Sequence, residues 1–400
     1  MTHISISKRV GRLPEYTLAK IPTIKRRLIA AGMDVIDLGA GDADGPPPAA
    51  TTEALRQALD VTALHKYGFQ QGLPEFRAAA VRWVARRFGQ TFDATTEMLP
   101  LIGSKEGLSH LPHAICNPGD VVIVPEPGYQ GYIGGAVLSG SEPYIVPLRP
   151  ENNFLVELDQ LPTEILERAK VVYINYPNNP TAAIAPPEYL VRLVAACNKY
   201  GIVLAYDNAY CDITFDGYVA PSIFETPGAR DVAIEFFSMS KSFQMTGWRV
   251  GFAIGNSTLI GALTKVKSYI DTGPFLALQQ ASAFTLDHAE ELNRPIVAEL
   301  TRRRDAAVAA LTEAGFAVDT PRAAMYVWVP LPPGLPSAEF TSRALEEEGV
   351  VTLPGSGFGP GGEGFFRIAL TVPPERIREA VTRLGRTLAA CTGAVAATAR

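Results

Sequence analysis

The chain has 400 residues, 47% hydrophobic and 19% charged, which suits about two domains and excludes a disordered chain. Its 36 Lys plus Arg against 41 Asp plus Glu leave a formal charge of -5, so there is no basic footprint for nucleic acid or an anionic membrane, and a small-molecule partner is the default. The N-terminus carries no signal-peptide core and no run approaches ~20 apolar residues, while four scattered cysteines without a CxxC pair fit a reducing compartment, so a cytoplasmic protein without a metal site is expected.

Taken in chain order, residues 1–45 read as an arm and part of a smaller domain, 46–285 as a large domain, 286–390 as a C-terminal small domain and 391–400 as a frayed tail. Pro46–Ala50 is loop punctuation. Phe76, Ala79, Ala80, Trp83, Val84 and Phe88 recur at helical spacing between Gly72 and Gly89, which predicts an amphipathic helix. Short apolar runs then alternate with helical patterns: strands are expected at Val121–Val124, Val171–Tyr176, Ile202–Asp207, Ala233–Ser238 and Val250–Ile254, forming a mostly parallel sheet sandwiched by crossover helices. A long helical stretch follows at Ala281–Ala314. Separated strands at Met325–Val329 and Phe365–Leu370, with helices at Ser337–Glu348 and Pro374–Leu388, predict a smaller α+β domain.

Polar clusters stand where these strands end. In Phe236–Gly251, FFSMSKSFQMTGWRVG, an apolar strand runs into Ser238, Ser240, Lys241 and Ser242, with Arg249 eight residues beyond Lys241. Ligands of α/β sheets bind outside the carboxyl ends of strands, so the lysine can face a cofactor while hydroxyls and the arginine hold a phosphate. The plain alternative is a Ser-rich loop with a solvated lysine. YDNAY at Tyr206–Tyr210 offers Asp207 to a protonated ring nitrogen and Tyr210 to an oxygen, or simply a cap and turn. YPNNPT at Tyr176–Thr181 reads equally as a turn. IGSKEGL at Ile102–Leu108 places Gly103 and Ser104 before a helix, where backbone N–H groups suit a phosphate or a plain N-cap.

In order, the motifs GSKEGL, PEPGY, YPNNPT, YDNAY, SMSKSFQMTGWRVG and FFRIAL resemble those of class I aminotransferases, pyridoxal 5'-phosphate enzymes of fold type I, from about Leu13 to Leu388. The resemblance implies that Lys241 links covalently to the cofactor, Asp207 faces its ring nitrogen, Asn179 and Tyr210 hold its phenolic oxygen and Tyr129 stacks on its ring. Ser104, the Lys105 backbone, Ser238, Ser240 and Arg249 would hold the phosphate, and Arg367 would clamp the substrate's α-carboxylate. Gly41 matches a glycine whose backbone approaches that carboxylate. Tyr67 matches a tyrosine that reaches a neighbouring subunit's phosphate, which implies a homodimer with shared sites. Tyr16 resembles a substrate-side tyrosine of the diaminopimelate branch, or is an ordinary tyrosine in a docking arm.

The implied reaction moves an amino group between an amino acid and a 2-oxo acid by ping-pong through pyridoxamine phosphate, with Lys241 as the proton carrier. The lysine box and GEGFFRIAL wording is most similar to the LL-diaminopimelate and alanine aminotransferase branches, with 2-oxoglutarate or glutamate as partner. No arginine occurs from Gly251 to Asn293, where one aspartate-specific subgroup carries its distal arginine. The rival readings are a lyase on the same fold, such as a C–S β-lyase or an aminocyclopropane carboxylate synthase, and a ligand-sensing regulator. The regulator lacks a basic DNA-binding module ahead of the match.

Overall fold

A computed structural model of the chain describes residues 4–14, 21–69 and 71–398, of which 394–398 are described as backbone only. Its strands are β1 (Ile36–Asp37), β2 (Met98–Leu101), β3 (Val121–Glu126), β4 (Glu142–Pro147), β5 (Ala169–Ile174), β6 (Val203–Asp207), β7 (Ala233–Ser238), β8 (Gly251–Gly255), β9 (Tyr326–Pro330), β10 (Val350–Val351), β11 (Leu353–Pro354) and β12 (Phe365–Ala369). Seven of them form one sheet in the order β2-β8-β7-β6-β5-β3-β4. The β4, β3, β5, β6 and β7 neighbours pair in parallel, and β8 runs antiparallel to both β7 and β2.

This sheet is apolar on both faces because helices cover both. Alternation along β3 sends Val121 and Ile123 into one layer and Val122 and Val124 into the other. The first layer holds the helix Pro74–Phe88, whose buried face is the predicted one and which ends at Gly89 in the left-handed conformation, φ 68°. Trp83 from that helix meets Phe237 and Phe252 edge-on at 5.2 and 5.9 Å. The second layer holds Ser104–Ile115 and Gln130–Ser139, which bury Leu108, Leu111, Tyr132 and Ala136 against β3, β5, β6 and β7.

A second core gathers β9, β12 and the helices Ala289–Glu313, Ser337–Glu348 and Pro374–Thr398 around Phe316, Phe340 and Phe366. β12 lies between β11 and β9, antiparallel to each, and β1 pairs in parallel with β10. The segment after β1 returns to this sheet, where the Ala369 N–H donates to the Leu38 carbonyl at 2.7 Å. No described helix is long and apolar enough to cross a membrane.

Some expectations need correcting. The single helical stretch Ala281–Ala314 is two helices, Leu276–Asp287 and Ala289–Glu313. His288 leaves the helical region at φ -112°, ψ 22°, and its ring caps the first helix through the Phe284 carbonyl at 2.9 Å, while Arg82 grips Asp287 at 3.2 and 2.7 Å. The last helix continues past Cys391, which is buried beside Arg343, to Thr398 through an alanine-rich stretch. Five strands went unread: β1, β10 and β11 are only two residues long, and β2 and β4 are the edges of the large sheet. β2 contains Pro100 and β4 contains Pro143 and Pro147, residues that mimic loop punctuation yet are tolerated at a sheet edge.

Candidate active site

β5, β6 and β7 end side by side, so the residues just past Ile174, Asp207 and Ser238 share one rim of the sheet. They open onto a cleft of about 530 Å³, walled on its other side by the segment after β1 and by β9, β11 and β12. Ser104, Lys105, Tyr129, Asn179, Asp207, Tyr210, Ser238, Ser240, Lys241, Arg249, Gly41 and Arg367 all line it. The fold therefore brings together residues drawn from positions 41 to 367 of the chain.

Asp207 is the last residue of β6 and is buried. The Tyr132 hydroxyl donates to its Oδ2 at 2.7 Å, and Oδ1 has no hydrogen-bond partner among the described residues. Its main chain is held from both neighbouring strands: Asn175 Nδ2 donates to the Asp207 carbonyl at 2.7 Å, and the Asn208 N–H donates to the Phe236 carbonyl at 2.9 Å. Burial pushes the Asp207 carboxyl up to about 6, against the opposing pull of the Tyr132 hydroxyl and the nearby Ala209 backbone. A buried acceptor with a vacant lone pair suits a protonated ring nitrogen, which would supply both a donor and a counter-charge.

Lys241 and Arg367 converge from opposite walls. The Lys241 ammonium donates to the Gly41 carbonyl, and Arg367 Nη2 donates to the Gly39 carbonyl at 2.7 Å. Arg367 Nη1 donates to Asn179 Oδ1 at 2.8 Å, and its guanidinium lies 4.2 Å from the Tyr326 ring centre. Tyr326 also shares a 2.8 Å hydrogen bond with the Tyr210 hydroxyl. Asn179 is set by its own backbone, whose N–H donates to Asn175 Oδ1 at 2.7 Å.

The other end of the cleft is built for an anion. Gly103 caps the helix Ser104–Ile115 at φ 71° with no side-chain cap, which leaves the N–H groups at Ser104 and Lys105 facing outward from a helix N-terminus. Arg249, itself at φ 55°, donates to the Thr246 carbonyl at 2.8 Å and to Ser240 Oγ at 3.4 Å. Ser238 Oγ accepts from the Ser240 N–H at 3.2 Å. A Cβ at Gly103 would stand 2.4 Å from Arg249 Nη2, so only glycine lets the guanidinium close over this helix end. Together these groups fit pyridoxal phosphate: a lysine for its aldehyde, a vacant carboxylate oxygen for its ring nitrogen, and a cationic helix end for its phosphate.

Tyr67 is 75% exposed and outside the cleft, with its ring 6.2 Å from that of Phe69. Tyr16 lies outside the described residues. Sequence reasoning missed Tyr132, Asn175 and Tyr326. Tyr132 sits three residues after Tyr129 in a run that reads as a plain apolar helix, and Tyr326 reads as a core residue of its strand.

The Asp207 carboxyl gives a stability signature. With cofactor removed, the folded chain keeps this proton up to about pH 6, whereas an unfolded aspartate loses it near ~4. Stability therefore falls as pH rises between those values, and a penalty of about 3 kcal/mol persists above them. Cofactor-free Asp207→Asn should be the more stable protein above pH ~6, with the difference vanishing near ~4. Urea unfolding of both proteins from acid to neutral pH checks this, and equal stabilities throughout would contradict it.

Comparison with known proteins agrees with that chemistry. Residues 33–384 match the family model for aminotransferase class I and II. The chain is 43% identical over 382 residues to LL-diaminopimelate aminotransferase 2 of Trichormus variabilis, covering 95% of this chain and 98% of that protein. It is 45% identical over 378 residues to the LL-diaminopimelate aminotransferase of Aquifex aeolicus, covering 94% and 98%. Among solved structures, substrate-bound BacF from Bacillus subtilis superposes with a TM-score of 0.92 at 33% identity, covering 96% of this chain and 98% of that one. The chain belongs to the class I and II aminotransferases, as a pyridoxal-phosphate-dependent enzyme of fold type I.

Proposed function

We propose that this aminotransferase takes the amino group of LL-diaminopimelate and passes it to 2-oxoglutarate, in a site shared between two copies of the chain. The observation that carries the site assignment is the vacant Oδ1 of buried Asp207 in the same cleft as Lys241 and Arg367. The substrate assignment draws on relatives named LL-diaminopimelate aminotransferases at 43–45% identity over nearly the whole chain. Asp42 lines the cleft, and its carboxylate suits a substrate bearing a second ammonium group.

Bound pyridoxal phosphate supplies an electron sink for the pair left when the substrate's Cα loses its proton. The chain's own groups do the rest. Arg367 binds the α-carboxylate through two parallel N–H donors and so orients the Cα–H bond for removal. Lys241, as the neutral amine, would take that proton on Nζ and give it back when the transfer is complete. Asp207 keeps a positive charge on the ring nitrogen, since a buried carboxylate stabilises a proton beside it. Tyr210 and Asn179 donate to the ring oxygen, Tyr129 covers the ring face, and Ser104, the Lys105 backbone, Ser238, Ser240 and Arg249 hold the phosphate. Gly41 gives the substrate carboxylate room, because a Cβ there would lie 3.0 Å from the Tyr326 hydroxyl and 3.8 Å from Arg367 Nη2.

A donor screen with 2-oxoglutarate and pyruvate as acceptors tests the substrate. LL-diaminopimelate with 2-oxoglutarate should exceed aspartate or alanine in kcat/KM by about 100-fold, the order of discrimination that extra contacts along a longer side chain supply. A better rate with alanine or aspartate would overturn the assignment, and pyruvate plus ammonia from a β-substituted amino acid would favour the lyase.

The homodimer draws on exposed aromatic and aliphatic residues, Tyr67 among them. Phe69, Tyr269, Ile270 and Phe275 are exposed with it, and Tyr269 is 87% accessible in the isolated chain. Such a surface suits a partner, and a second copy is the one that carries Tyr67 to a neighbouring phosphate. Lys241→Ala should lose about 10³-fold or more in turnover, and Tyr67→Phe a smaller factor. Mixed dimers of the two variants contain one wholly wild-type site and should regain activity. An active monomer, or no complementation after proven subunit exchange, would contradict shared sites.

A further inference from the structure

A buried ion network lies behind the anion end of the cleft. Lys267, the last residue of the helix Ser257–Lys267, is fully buried, and its ammonium donates to Glu106 Oε2 at 2.7 Å and to Asp271 Oδ1 at 2.6 Å. Glu106, His110 and Asp271 bring ligand atoms within 4.8 Å of one another, and the lysine ammonium serves as their cation. Glu106 Oε2 also accepts from the Ile102 N–H at 2.8 Å, one residue before Gly103. Burial pushes the Glu106 carboxyl up, but His110 and the Lys267 ammonium outweigh it and hold the group below its ordinary value.

Glu106 is thus ionised in the first turn of the helix whose N-terminus faces the cleft. Its charge fixes the loop through Ile102. The same charge opposes a second anion at that helix end, since both draw on one dipole and stand within about one turn, ~5 Å of rise. Taking a lysine wholly out of water is costly unless its partners compensate it. Here the ammonium sits between two carboxylates, Glu106 and Asp271, and reduces the field that Glu106 casts toward the cleft.

We propose that Lys267 and Glu106 are positioning residues for the cofactor's phosphate: Glu106 fixes the Ile102–Ser104 loop, and Lys267 removes the repulsion that Glu106 would otherwise exert on the phosphate dianion. The inference rests on the phosphate end assigned above. It goes beyond that assignment because neither side chain lines the cleft or touches the cofactor.

The test is titration of the full chain, stripped of cofactor, with pyridoxal phosphate and with pyridoxal, which lacks the phosphate, followed by absorbance and tyrosine or tryptophan fluorescence. Lys267→Met leaves the Glu106 charge bare and should weaken pyridoxal phosphate by about tenfold while changing pyridoxal by less than about twofold. Glu106→Gln keeps an acceptor for Ile102 and drops the charge, so pyridoxal phosphate should bind as tightly as to wild type or tighter. The double variant should return to within about threefold of wild type. A purely architectural network predicts otherwise: both single variants would weaken both ligands alike, and that result overturns the proposal. If Lys267→Met does not fold, Glu106→Gln decides by sign, since weaker phosphate-dependent binding there is equally fatal. A wild type that gains nothing from the phosphate would overturn the phosphate site itself, whereas a wild-type preference kept unchanged by Lys267→Met would overturn the network alone.

Discussion

The structure is organised around a carboxylate buried where a carboxylate is costly. Asp207 has one oxygen satisfied by Tyr132 and the other vacant, and an unpaired buried acceptor costs about 1–3 kcal/mol or more. Much of the surrounding fold holds it there. Tyr132 stacks on Tyr173 at 4.6 Å and 9°, Tyr173 donates to the Leu108 carbonyl at 2.7 Å, and Asn175 grips the Asp207 main chain. Such strain is retained where a ligand relieves it. A pyridinium proton would satisfy the vacant lone pair and the buried charge together, so the cofactor-free state stores part of the affinity for the cofactor.

The same economy governs the strap after β1. Its Gly39 and Gly41 carbonyls accept from Arg367 and Lys241, the two cations of the proposed site. The strap is held in turn by Asp37, whose Oδ1 accepts from the Gly39 and Ala40 N–H groups at 2.9 and 3.1 Å, with Lys25 on its other oxygen at 2.6 Å. Both carbonyls are neutral acceptors, which a substrate carboxylate can displace.

How much of this was legible in the sequence follows from geometry. Lys241, Asp207 and Asn179 stand just past the ends of parallel strands, and a buried parallel strand is a continuous apolar run whose end is visible as a change of composition. The rim of the sheet could therefore be read. Partners that belong to an apolar element could not: Tyr132 lies in the first turn of a Gly-rich apolar helix and Tyr326 begins a core strand, where an aromatic ring serves packing as readily as hydrogen bonding. Lys267 was hidden for the opposite reason. A lysine at a helix end reads as a solvated charge, and only the fold reveals two carboxylates enclosing it. The edge strands β2 and β4 were masked by proline, whose cost depends on whether a neighbour needs its missing N–H.

The central claim is that the vacant oxygen of Asp207 exists to hold a protonated ring nitrogen. The most direct measurement is the nitrogen-15 chemical shift of ring-labelled cofactor bound to the wild-type enzyme across neutral and alkaline pH, with Asp207→Asn as control. The account predicts a pyridinium shift throughout in the wild type and a neutral pyridine shift in the variant. A wild-type nitrogen that is unprotonated at neutral pH, or that titrates as the free cofactor does, would contradict it.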